Sequence, residues 1–150
     1  MVVEGGAITN TSLIPALVRA GTAATFANSN SAIDADAGIA MAYDSSNNKF
    51  TLFYYDKDNS NRNSVIVGTV SGDTITYGTS VSQTSNLSTY KASAYDANAG
   101  KVVFSYADAS DANKGKAVVG TISGTTISFG TVVQYTTSAG IQCMTYDSTN

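Results

Sequence analysis

Few side chains in this chain could carry acid–base, nucleophilic or ligand chemistry: eleven Asp and Glu, eight Lys and Arg, nine Tyr, a single cysteine at position 143 and no histidine. Without an imidazole there is no mixed Cys/His zinc site, no Ser-His-Asp or Cys-His nucleophile and no haem held through histidine. Any reaction would have to run on carboxylates, tyrosines or lysines.

The densest run of oxygen donors is "DKDNSN", Asp56 to Asn61. Its alternation resembles the opening of a calcium loop, but the glycine at the sixth place and the closing bidentate glutamate are missing. Further along, the matching "DASDAN" puts Ser110 where Asp58 stands, so an Asx-type turn is the expected role. Asp44 and Asp96 could be imagined as a glycosidase pair. They occupy the same place in two similar stretches, next to Asn and Gly, which is the placement of a turn-fixing residue. The chain is therefore expected to be non-enzymatic, with no cofactor and no metal.

Carbohydrate recognition is the remaining chemistry: aromatic faces stack on sugar C–H groups while neighbouring Asp, Asn and Arg bond the hydroxyls. Tyr55, Asp56, Asp58 and Arg62 lie on or beside one variable connection, with Ala107 and Lys114 opposite Tyr55 and Arg62. They form the candidate ligand-binding rim loop. Tyr54, Tyr77 and Tyr95 recur as aromatic positions and are expected in the core. Cys143 stands where Ala40 and Ala92 stand, which predicts a small buried apolar residue.

What must position these groups is a duplicated unit. "YDSSNNKFTLFYYDKDNSNRNSVIVGTVSGDTITYGTSV" from Tyr43 lies without a gap over "YDANAGKVVFSYADASDANKGKAVVGTISGTTISFGTVV" from Tyr95, roughly two in five positions being identical. "QCMTYDSTN" repeats the opening of the unit, and "LVRAGTAATF" resembles its closing strand. The chain divides into an attachment or closing segment (1–20), a partial repeat (21–38), unit 1 (39–90), unit 2 (91–140) and the start of a third unit (141–150). A longer polypeptide with more units is the expectation.

Each unit reads as four short strands. "GIAMAY" or "KASAY" ends in an Asn/Gly-rich turn; "KFTLFYY" or "KVVFSYA" alternates apolar residues; "SVIVGTV" or "KAVVGTI" follows the Asp-rich connection; Ser-Gly then opens a tight hairpin into "TITYGTSV" or "TISFGTVV". Joined in order they make an antiparallel meander, and the fold class is all-β. Small residues on the first strand (Ala40 and Ala42, Ala92 and Ala94) against Tyr and Phe further out suit a β-propeller blade, whose inner strand is crowded near the axis. A β-sandwich or fibre-type stacked modules are the alternatives.

Composition narrows the setting. Only 13% of residues are charged, against about 25% in an average soluble protein, so Ser, Thr, Asn and Gly make the polar surface. Such surfaces are frequent on extracellular and virion proteins. With a net charge of −3 and no basic run, nucleic-acid binding is not expected. No apolar stretch approaches the roughly 18 residues of a membrane span, so no membrane insertion is expected, and "SLIPALVRA" lacks the basic start and length of a secretory signal.

The pattern Y-D-x(4)-K, an alternating strand, a D-rich connection and V-G-T-[VI]-S-G-x-T-I-x-[YF]-G-T resembles tandem repeats of marine bacteriophage tail-fibre and virion structural proteins. The likeness runs from Tyr43 to Val133 and fades toward both ends. It implies a virion location, a role in particle assembly or host attachment, and partners that are other virion proteins, further copies of the chain as a homo-oligomer, or host-surface carbohydrate. It transfers no catalytic residue. A bacterial extracellular adhesin or filament subunit is the alternative, and a carbohydrate-active enzyme a more distant one.

Overall fold

The computed structural model describes residues 37–57, 60–84 and 87–148. The segments 1–20 and 21–36, the rim-loop residue Asp58 and the last two positions lie outside the described residues. Every element among the described residues is a strand, as alternating runs with no helical period require. One sheet holds β1 (Ala40–Asp44), β2 (Lys49–Asp56), β3 (Arg62–Ser71), β4 (Thr74–Tyr77) and β5 (Val81–Thr84). The other holds β6 (Ser88–Asp96), β7 (Lys101–Asp108), β8 (Lys114–Ser123), β9 (Thr126–Phe129) and β10 (Val133–Thr136). All pairings are antiparallel, and the two sheets close into neither a barrel nor a ring.

Each sheet is the expected meander with one difference: the fourth strand is split. β4 pairs the C-terminal half of β3 and β5 its N-terminal half, leaving Gly78 to Ser80 between them. The second sheet repeats this with β9 and β10 on β8. In both, the residue after the first half-strand is a glycine whose N–H reaches back to β3 or β8, Gly78 to Val67 O and Gly130 to Val119 O, each at 2.9 Å. The preceding hairpins have two-residue loops whose first residue, Gly72 or Gly124, takes φ of +57° or +59°. A glycine-first hairpin turn demands this, and an L-residue there would be strained.

Because strand side chains alternate between faces, each sheet has two distinct sides. In unit 1 one side carries Ala40, Ala42, Thr51, Phe53, Val65 and Val67, fixed together by the pairs Ala40↔Phe53, Ala42↔Thr51, Phe53↔Val65 and Thr51↔Val67. We call this the trailing face. In unit 2 the opposite, leading face carries Val102, Phe104, Tyr106 and Val118, with Ile127 on β9. The buried core is where these two faces meet, and its ten members come equally from the two units. Phe53 lies edge-on to Phe104 and Tyr106, with ring centroids 5.3 and 5.9 Å apart. Edge-to-face rings gain beyond their buried area, and here they fix the lateral register of one sheet on the other.

The core is therefore shared, and neither unit completes one alone. Phe53→Ala is expected to cost about 3–5 kcal/mol by transfer and cavity terms. Chemical denaturation followed by tyrosine fluorescence and by circular dichroism should show the two units losing structure together, in one transition at lower denaturant.

Candidate functional site: the junction between units and its rim loops

Three chemically specific features surround the shared core. The first is a latch at the β1–β2 turn. Asp44 ends β1, and its Oδ1 accepts the backbone N–H groups of Ser46 (3.0 Å) and Asn47 (3.2 Å), while Oδ2 accepts Asn47 Nδ2 at 2.8 Å. This is an Asx turn, and it gives Asp44 the turn-fixing role expected from the sequence. The hydroxyl of Tyr95, at the matching place in unit 2, bonds the same carboxylate and reaches Ser46. Burial pushes the Asp44 carboxyl up, but the hydrogen bonds from Asn47, Tyr95 and the turn backbone outweigh it and hold it below its ordinary 3.8. The Tyr95 hydroxyl, losing water and facing that carboxylate, is raised.

The latch recurs one unit on. Asp96 Oδ1 accepts the N–H groups of Asn98 (3.0 Å) and Ala99 (2.9 Å), and the Tyr146 hydroxyl accepts the N–H of Asn98 at 3.2 Å. Asn98 corresponds to Ser46, and Tyr146 opens the third repeat as Tyr95 opens the second. Tyr95 and Tyr146 thus each seat their own unit on the Asp turn of the unit before.

The second feature lies at the same end of the strands, where Lys49 opens β2 opposite Asp44. Lys49 Nζ donates to Gly124 O at 2.6 Å, joining unit 1 to the β8–β9 hairpin of unit 2. That hairpin comes so close that a Cβ at Gly78 would lie 1.8 Å from Thr125 O. The glycine after the half-strand is thus a clearance for the neighbouring backbone, which the repeat preserves as Gly130.

The third feature is the Asp-rich connection. In unit 2 Asp108 Oδ1 accepts Ser110 N (3.0 Å) and Ser110 Oγ (2.5 Å), and Oδ2 pairs with Lys116 Nζ at 2.7 Å. Asp111 bridges Lys116 (2.9 Å) and Lys114 (2.7 Å). Burial raises the Asp108 carboxyl, but the bonds from Lys116 and Ser110 more than reverse this and leave it below 3.8. Lys116, bonded by both carboxylates, is raised well above 10.5. The connection is an ion-paired turn. Among the described residues no cluster of three or more His, Cys, Asp or Glu could hold a metal ion.

The described rim-loop residues, Tyr55, Asp56 and Arg62, do not share one open surface. Tyr55 falls inside β2 on the trailing face and is 8% exposed, so its ring offers no open platform for a sugar. Asp56 is equally buried, paired across the strands with Arg62 and bonded by the Tyr54 hydroxyl at 3.4 Å. Of the three described rim residues, Arg62 alone is open to solvent. Tyr54 is in the interior, as expected, and Tyr77 and Tyr95 are half-buried, Tyr77 edge-on to Phe50 and Tyr95 against the core. Cys143, expected to be buried, is exposed. Ala40 has strand β2 beside it and the second sheet packed above, and Ala92 has strand β7 beside it, whereas Cys143 has no such strand among the described residues.

Two residues escaped the sequence reading. Lys91 is buried, its ammonium donating to Ala37 O (2.8 Å) and Ser88 O (2.6 Å) and lying 5.6 Å from the Phe53 ring centre. Tyr90, beside it, is 48% exposed with φ of +49°. Both follow from a bulge in β6 between Thr89 and Ala92. A bulge re-aims side chains, turning the lysine inward and the tyrosine outward. Comparison with protein families, with curated proteins and with solved structures finds no match.

The lowered carboxyls set a pH dependence. Asp44 and Asp108 contribute stability in full above their unfolded value near 3.8 and lose it as pH falls through their depressed folded values. Lys116, being raised, contributes below 10.5 and loses it only as pH rises through its higher folded value. Asp44→Asn with Asp108→Asn should lower stability at pH 7 by roughly 2–4 kcal/mol and flatten the acid limb below pH 4. Urea midpoints measured from pH 2.5 to 8 would check both.

Proposed function

We propose that this chain is a non-enzymatic virion structural module, a stretch of tail fibre or of a related particle surface, whose role is particle assembly and attachment to host-surface carbohydrate. The observation that carries the reading is the polarity of the shared core: the leading face of one unit seats on the trailing face of the one before. A head-to-tail contact between equivalent units propagates into a ring or an open stack, the geometries of blades and fibres. Blade-like packing is supported further by β1, whose small residues Ala40 and Ala42 are buried where the sheets approach.

An array of this kind presents the same connections at regular spacing along one edge. Weak contacts repeated in that way gain strength through effective concentration, which suits a charge-poor fibre meeting a glycan-coated cell. At that edge Arg62 and Tyr90 are the exposed groups able to bond and stack on a sugar, while the buried Tyr55 and Asp56 shape the loop beneath.

Multivalent display of the chain on a glycan array should give retention of specific glycans. Replacing Lys57 to Arg62 by a Gly/Ser segment, together with Tyr90→Ala, should reduce that retention by about tenfold or more. Unchanged binding, or none by the wild type, would remove the attachment role; mass spectrometry of purified particles would test the assembly role separately.

A further inference from the structure

The trailing face of unit 1 is covered by unit 2, whereas the same face of unit 2 is open. Val67 is 1% exposed and its counterpart Val119 is 44% exposed. Val81 packs on the core, yet its counterpart Val133 is 61% exposed. Where Phe53 and Val65 fill the first junction, unit 2 has Ser105 and Ala117, and beside them lies a cavity of about 600 Å³ roofed by Ile141 to Met144.

Of three fittings used at the first junction, two are present but idle at this second face. Gly78 gives clearance to the neighbouring hairpin, and Gly130, in the same local turn, has nothing nearer to a Cβ than Val119 O at 3.6 Å. Lys49 reaches across to unit 2, while its counterpart Lys101 folds back onto Thr121 Oγ1 of its own unit at 2.8 Å. The Asp96 turn, by contrast, is already engaged by Tyr146, as the Asp44 turn is by Tyr95. Residues 141–147, which repeat the opening of the unit in sequence, are thus held at the latch by Tyr146, and the rest of this face is uncovered.

From this geometry we infer that the open face of unit 2, bounded by Val119, Gly130 and Val133, is the seat of a third four-stranded unit whose opening strand is residues 141–147. The occupant has the chemistry of the leading face seen in unit 2, with aromatic side chains at the places of Phe104 and Tyr106. Their bulk matches the room left by Ser105 and Ala117. Lys101 then turns from Thr121 to the carbonyl of the incoming hairpin glycine, as Lys49 does. This inference concerns architecture and holds whether or not the particle and glycan roles proposed above are correct.

Cys143, the single cysteine and an exposed one, reports on the seat. Its counterparts Ala40 and Ala92 are buried once their units are complete. The test compares the 150-residue chain with one carrying a second copy of residues 96–140 directly after Tyr146. Thiol labelling with Ellman's reagent should be fast in the first and slower by roughly tenfold or more in the second. Gly130→Val should leave the melting temperature of the 150-residue chain unchanged, whereas in the extended chain it should restore fast labelling. Gly78→Val should destabilise both.

Equal labelling of the two chains, or protection that Gly130→Val fails to relieve, would overturn the inference. So would an added segment that circular dichroism shows to be without strand structure. Concentration-dependent protection of Cys143 in the 150-residue chain, accompanied by dimers in sedimentation, would assign the face to a second copy and overturn it equally.

Discussion

The edge-on packing of Phe53 against Phe104 and Tyr106 is the contact on which the rest of the structure depends. A four-stranded sheet of this length has two apolar sides and nothing of its own to cover either. Burial at about 25 cal/mol per Å² stabilises the sheet only if another sheet supplies the opposing surface. The duplicated unit meets this need with one sequence: its trailing side offers small residues around Phe53, and its leading side offers the rings that surround Phe53. Complementarity between two faces of the same unit makes the contact directional.

Directionality explains the polar features at the margins. The Tyr95 to Asp44 bond and the Lys49 to Gly124 bond, both at the β1–β2 turn end of the strands, fix the sheets against sliding, which an apolar interface alone leaves soft. Gly78 lets the hairpin approach closely enough for the second bond to form. Few charges are needed for any of this. The ion pairs at Asp108, Asp111, Lys114 and Lys116 close a turn within unit 2, and the charged groups named between the sheets, Asp44 and Lys49, meet neutral hydroxyl and carbonyl partners.

Much of this was legible in the sequence because it follows from local rules. Alternation in "KFTLFYY" and "KVVFSYA" assigns residues to faces, Ser-Gly marks the hairpins, and Asp44 and Asp96 beside Asn and Gly mark Asx turns. What escaped depends on neighbours that no local pattern encodes. Tyr55 looks like a loop aromatic, yet β2 extends through Asp56 and carries it onto the covered face. The bulge that buries Lys91 and exposes Tyr90 is one inserted residue in "STYKAS", where strict alternation would place them the other way. Cys143 shares a repeat position with two buried alanines but not their surroundings, and surroundings decide burial.

The repeat glycines carry the same lesson into function. Gly78 and Gly130 share a local turn and a backbone bond, so the turn itself explains neither a glycine at both places nor its absence elsewhere. Only the approach of Thr125 to Gly78 supplies a reason, and that reason exists at one junction and not yet at the other. The idle state of Gly130 is paralleled by Lys101, bonded within its own sheet, and by Val119 and Val133, left in water. A duplicated unit could keep its interior while its outer face drifted toward charge. Here the outer face has kept valines, a clearance glycine and a reaching lysine, the same chemistry that closes the first junction, while the Tyr146 hydroxyl bonds the Asp96 turn. The two sheets seen together show one face of a unit seated on the opposite face of the next, and the outer face of unit 2 carries the same residue types as the seat that is filled.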